Sequence, residues 1–248
     1  MPYRNLSLDE VADYLHLTKQ DVEELIKANE IPNKYRGGRY VFIRGEVDAW
    51  ASQRILGLES RNLVDYHQKT TRGTRAVLDQ DALMPDLLRT KYITPALASK
   101  TKRSVINDML ELAESTGRVL DAMNLRESVE AREELCSTAL PGGMALLHCR
   151  QHEPFRFDGS FVVFGRTIQE IPFSAPDGRA TRLFFLLCCQ DERLHLHTLA
   201  RICMMALKTD MLLRLHGAPD DEAIYNIIIG SELAALAGKK RLDGELAG

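Results

Sequence analysis

The sequence predicts an α/β fold, a mixed sheet flanked by helices, preceded by a small unit of two helices and a hairpin. Three observations carry that expectation. Beyond residue 77, apolar runs of strand length alternate with stretches of helical periodicity. The first 58 residues hold two capped helical words and a Gly37-Gly38 turn between β-prone words. A length of 248 residues suits between one and two domains, and 45% hydrophobic with 27% charged residues excludes a largely disordered chain.

In the first unit, Ser7-Leu8-Asp9-Glu10 is a capping box that opens a helix, with Leu8, Val11, Ala12 and Leu15 on one face. His16-Leu17 reads as a turn. Thr18 caps a second helix in which Val22, Leu25 and Ile26 are apolar, and Ile31-Pro32 ends it. Lys34 to Ile43 reads as a hairpin about Gly37-Gly38, and Glu46-Val47-Asp48-Ala49-Trp50 starts a closing helix. Residues 59–76, with Arg61, Lys69, Arg72 and Arg75, read as a basic linker that could track a nucleic-acid backbone or serve as a solvated hinge.

Helix, turn, helix and a two-stranded wing is a nucleic-acid-binding arrangement. The words Leu8 to Leu15, Thr18 to Val22, Arg36 to Tyr40 and Val47 to Trp50 resemble the excisionase-type, MerR-like winged helix-turn-helix family. The arrangement puts Thr18, Lys19, Gln20 and Lys27 near a major groove, and Lys34, Arg36, Arg39 and Arg44 near phosphates. DNA is the expected partner, and a homodimer would let two such modules read a two-fold site. Residues 1–60 carry eight basic and ten acidic side chains, so a small protein-binding module is the competing reading.

The second unit, 77–236, is large enough for its own core, and residues 237–248 read as a polar tail. Helices are expected over 102–115, 118–123, 128–135, 195–207, 208–215 and 221–229. Strands are expected over 144–149, 161–165 and 182–189. The stretch Ala131 to His148 runs from an Arg-containing helix through a Ser-Thr turn and a Gly loop into a strand ending in His. After the apolar strand Phe184 to Cys189, His195-Leu196-His197 opens a helix.

These segments resemble the enzyme IIA domain of the phosphotransferase system, in its fructose/mannitol and nitrogen-regulatory class. The resemblance implies an enzyme IIA-like mixed sheet and a phosphoryl group accepted by His148 from a histidine phosphocarrier of the HPr type. It places His195 as the second active-site histidine and Arg132 as the cation beside them. Neutral imidazole is a competent nucleophile near pH 7, and a guanidinium can neutralise charge on transferring oxygens. Leu147 stands where the family has Pro, and Cys149 where it has Gly. A degenerate domain that only binds a partner is the alternative.

A zinc reading needs His148, Cys149, His152, Cys188, Cys189, His195 and His197 to meet across two strand ends. No Cys-x-x-Cys pair supports it, so no metal and no cofactor is expected. The chain has no apolar run of 18 residues and no signal-like apolar start, and five cysteines suit a reducing cytoplasm.

Overall fold

The computed structural model describes residues 5–15, 17–57 and 83–245. The basic linker expected at 59–76, with its cations and His67, and His16 of the first turn lie outside the described residues. Among the described residues no helix is long and apolar enough to cross a membrane.

The first unit comprises β1 (Asn5–Leu6), α1 (Leu8–Leu15), α2 (Lys19–Lys27), β2 (Lys34–Arg36), β3 (Arg39–Ile43) and α3 (Arg44–Gly57). The expected capping box forms at α1, and at α2 the Thr18 cap proves to be a second box with Asp21. The Ser7 amide donates to Glu10 Oε2 at 2.8 Å and the Glu10 amide donates to Ser7 Oγ at 3.3 Å. At α2 the Thr18 amide donates to Asp21 Oδ2 at 2.8 Å and the Asp21 amide to Thr18 Oγ1 at 3.1 Å. Each such cap satisfies amides the helix itself leaves unpaired. The strands pair antiparallel in the order β1-β3-β2, and Arg36 faces Arg39 across Gly37 and Gly38. Those glycines have φ of 58° and 77°, the left-handed values a two-residue turn of right-handed twist demands. Val11, Leu15, Val22, Phe42 and Val47 are buried as its core.

The second unit comprises α4 (Met84–Leu87), a 3-10 turn, β4 (Ile93–Leu97), α5 (Lys102–Ser115), α6 (Ala122–Leu135), β5 (Ala139–Leu140) and β6 (Met144–His148). A second 3-10 turn, Pro154–Arg156, leads to β7 (Phe161–Ile171), β8 (Thr181–Cys188), α7 (Glu192–Lys208), α8 (Met211–Gly217) and α9 (Asp221–Glu245). The five-stranded sheet runs β4-β7-β8-β6-β5. β4 is parallel to β7, β7 antiparallel to β8, β6 parallel to β8, and β5 antiparallel to β6. All of β6 and nearly all of β8 are buried, as expected of central strands covered by helices. Phe164 meets Phe185, and Phe173 meets Phe184, edge to face at 4.8 and 5.2 Å. Each such ring contributes about 1.5–3 kcal/mol by leaving water.

Several elements differ from the sequence expectation. Residues 118–121 are not helical: Val119 forms an isolated antiparallel bridge to Phe157, and the Asp121 side chain accepts from the Asn124 amide at 3.0 Å. The expected pieces at 118–123 and 128–135 are therefore replaced by one helix, Ala122–Leu135. β7 continues past Gly165 to Ile171, and α7 starts three residues before His195 because Asp191 caps it, accepting from the Leu194 amide at 2.9 Å. α9 runs through most of the segment read as a tail. β4 and β5 were not expected.

Glu232 joins the two ends of this unit. Buried in α9, it accepts from the Leu83 and Met84 amides at 2.8 and 2.9 Å and pairs with buried Arg201 of α7 at 2.6 Å. The first unit also touches the second, with α3 packed against α7.

Candidate functional site

His148 ends β6, and its register partner is Leu187, the penultimate residue of parallel β8. The chain leaving β8 turns at Asp191 into α7, so His195 lies in the first turn of that helix. Carboxyl ends of adjacent parallel strands are where open α/β sheets form binding crevices. Arg132 approaches from the last turn of α6. The turn after it is clamped by buried Glu133, which accepts from Thr138 Oγ1 at 2.6 Å and pairs with Lys102 at 2.7 Å. Arg132 Nη1 donates to the Cys136 carbonyl at 3.1 Å, which fixes the guanidinium plane.

The three residues expected to act together do meet. Arg132 Nε donates to His148 Nε2 at 2.9 Å. His148 Nδ1 lies 2.8 Å from the Leu146 carbonyl oxygen, which can only accept, so Nδ1 carries the proton and Nε2 presents its lone pair. The rings of His148 and His195 lie 4.7 Å apart. Burial, then the Arg132 charge, holds His148 neutral with its pKa well below the ordinary imidazole value. Burial does the same to His195, followed by the neighbouring His152, His148 and Arg132.

A third ring completes the group. His152 stacks on His195 with centroids 4.2 Å apart. Burial, then the charges of Arg156 and Arg44, lowers its pKa to about 3. The loop that presents His152 is tied down at both ends. The Arg150 amide donates to Ser128 Oγ at 3.1 Å, while buried Arg156 donates to Asn124 Oδ1 at 2.7 Å and to the Gln151 carbonyl at 2.6 Å. The sequence considered His152 only as a metal ligand. Its signal was its place four residues past the strand-terminal His148.

The donors left over define what the pocket can hold. Arg132 Nη2 and both ring nitrogens of His195 and His152 are buried without a protein hydrogen-bond partner. Arg132 is 2% exposed and has no carboxylate at ion-pair distance among the described residues. A buried guanidinium without a counter-ion, beside imidazoles able to donate, suits a compact anion with several oxygens. Among the described residues no three His, Cys, Asp or Glu side chains are arranged to hold a metal ion. The buried thiols of Cys149 and Cys188 are pushed up in pKa, chiefly by burial, and stay protonated.

The expected nucleic-acid residues lie on the first unit. Lys27, Lys34, Arg36 and Arg39 are exposed, the last three on the hairpin, where Tyr35 and Tyr40 pack edge to face at 5.0 Å. Thr18 is committed to its capping box. Lys19 pairs with Asp9 at 2.8 Å, and Gln20 donates to Glu24 at 3.4 Å. Arg44 is placed elsewhere: as the first residue of α3 it forms an ion pair with Glu192, the first residue of α7.

Residues 86–230 match the family model described as phosphoenolpyruvate-dependent sugar phosphotransferase system, EIIA 2, and residues 6–55 match a helix-turn-helix domain model. The chain is 30% identical over 146 residues to a nitrogen regulatory protein of Bradyrhizobium diazoefficiens, covering 58% of this chain and 92% of that one. It is 25% identical over 145 residues to the phosphotransferase system fructose-specific EIIABC component of Bacillus subtilis, of which it spans only 22%. The crystal structure of the nitrogen regulatory protein IIA-Ntr from Neisseria meningitidis matches with a TM-score of 0.54 at 23% identity, over 59% of this chain and 99% of that one. IIA mannitol from Escherichia coli matches with a TM-score of 0.50 at 17% identity, over 57% and 98%. At these identities the structural matches speak to fold.

Proposed function

This chain belongs to the phosphoenolpyruvate-dependent sugar phosphotransferase system EIIA 2 family, and on that premise we propose that it accepts a phosphoryl group on His148 from a histidine phosphocarrier. The observation that carries the reading is the meeting of a tautomerically fixed His148 with Arg132 and His195 in a pocket of unpartnered buried donors. In the step, the Nε2 lone pair attacks phosphorus, the P–N bond of the carrier's phosphohistidine breaks, and the carrier imidazole leaves with that electron pair. Nδ1 keeps its proton on the Leu146 carbonyl throughout. Arg132 must first release Nε2, and its Nε and Nη2 hydrogens then face the transferred oxygens. No metal is required when donor and acceptor are both imidazoles. His148, His195 and Arg132 are the catalytic residues of this reading.

The attached helix-turn-helix unit supports a second half. Its exposed hairpin cations and paired tyrosines favour DNA, and phosphorylation in a cytoplasmic setting would regulate that contact. The phosphoryl group adds about −1.5 to −2 charge. One observation favours the competing reading, a domain that only binds a partner: His148 is 1% exposed.

Incubating the full chain with phosphoenolpyruvate and a carrier system, then measuring intact mass, tests the first half. A gain of one phosphoryl group, absent from His148→Ala, is the expected result. No gain in the unaltered chain, or an equal gain in His148→Ala, overturns it. A salt-dependent gel shift on DNA, weakened by Arg36→Ala and Arg39→Ala, tests the second half.

A further inference from the structure

We propose that the N-terminal unit is the lid of the histidine pocket, latched by Arg44 on Glu192, and that this unit and the phosphocarrier compete for one docking surface. The inference rests on the phosphoacceptor reading and goes beyond it by naming what covers the acceptor. Four observations place the lid. α3 packs against α7, the helix that carries His195 in its first turn. Arg44, at the start of α3, pairs with Glu192, at the start of α7, and the two side chains are 30% and 12% exposed. The Arg44 charge also reaches His152, where it helps keep that ring neutral. His152 in turn stacks on His195, whose other neighbour is His148. A line of three imidazoles thus runs from the acceptor ring to a residue of the other unit.

The competition follows from geometry. A carrier phosphohistidine must bring its phosphorus within bonding distance of His148 Nε2, so its surface has to lie at the mouth of the pocket. His148 and His195 are each 1% exposed with the N-terminal unit in place. Only molecules whose lid has swung away can receive the carrier, and the apparent affinity for the carrier falls by the fraction of molecules that are open. By linkage, carrier docking frees the N-terminal unit by the same factor. Two properties follow together: a sealed histidine that is still phosphorylated, and a helix-turn-helix unit released by the phosphorylating partner.

The test uses the full chain and two readouts. Diethyl pyrocarbonate modifies accessible imidazoles, and its rate at each histidine is followed by peptide mass. The second readout is the initial rate of phosphoryl uptake from the carrier system. Arg44→Gln and Glu192→Gln are each expected to raise modification of His195 and His152, and the uptake rate, by about three- to tenfold. The charge-swapped pair Arg44→Glu with Glu192→Arg is expected to bring both back toward the unaltered chain. Unchanged modification rates in the single variants overturn the lid. So does a swapped pair as reactive as the singles, because that marks general loosening. If no form takes up phosphate, the phosphoacceptor reading fails, while the modification rates still decide whether α3 covers the pocket.

Discussion

Acidifying the solution from pH 7.5 to 5.5 is expected to destabilise the fold through three side chains, of which His152 alone removes about 1 kcal/mol. His148, His152 and His195 are held neutral in the folded chain, each pushed below the ordinary imidazole value chiefly by burial, His152 to about 3. In the unfolded chain each titrates near 6.5. Because the folded value is the lower one, the unfolded state binds more protons as pH falls through 6.5. Stability is therefore intact above 6.5 and declines below it until the folded values are reached. One pH unit below 6.5 the His152 ring, neutral in the fold and charged in the unfolded chain, costs about 1 kcal/mol, and His148 and His195 act in the same direction. Urea denaturation of the full chain, followed by far-ultraviolet circular dichroism at both pH values, measures the loss. Carboxylates titrate over part of the same range, so His152→Phe provides the comparison: it keeps a ring against His195 and cannot titrate. Its loss between the two pH values is expected to be about 1 kcal/mol smaller. An equal loss in the two proteins would refute the claim that His152 is folded as a neutral imidazole with both ring nitrogens buried.

Three further outcomes are expected. Arg132→Gln should slow phosphoryl uptake about 100- to 1,000-fold, and Arg132→Lys less, because the charge survives while the fork does not; an intact-mass time course measures both. Gly165→Ala should destabilise the second unit by about 1–3 kcal/mol in urea, since the added Cβ would meet Leu97 and lie 2.6 Å from Met109 Sδ where α5 presses on β7. Replacing both Arg36 and Arg39 by Ala should lower DNA affinity and flatten the slope of log affinity against log salt by about 2, read from gel shifts at several salt concentrations.

What could be read in advance was what short-range chemistry decides. The box Ser7–Glu10, the Thr18 cap, the Gly37-Gly38 turn, and the apolar strands read at 144–149 and 182–189 all announce themselves within a few residues. The meeting of Arg132, His148 and His195 was expected from family resemblance, since no spacing rule brings a helix end, a strand end and a helix start together. Elements that depend on distant partners were missed. β4 contains Pro95 and is short, and only its pairing beside β7 at the edge of the sheet makes it a strand. The piece read as helix at 118–123 is claimed instead by the Val119–Phe157 bridge and by the Asp121 cap. Arg44 looked like one more hairpin cation because nothing in its neighbourhood of the sequence points to Glu192, 148 positions away. His152 looked like a metal ligand because the ring it stacks on is 43 residues further along.

The bond from His148 Nδ1 to the Leu146 carbonyl has a regiochemical consequence. One nitrogen of the ring is spoken for by the main chain of its own strand two residues back, so an incoming electrophile finds a single site of attack. The product should be one isomer, substituted on the nitrogen farther from the backbone. A phosphorus–nitrogen coupling pattern in a labelled sample should show one ring nitrogen modified and its neighbour still bearing hydrogen. The selectivity is set by an ordinary strand carbonyl and needs no other group to enforce it.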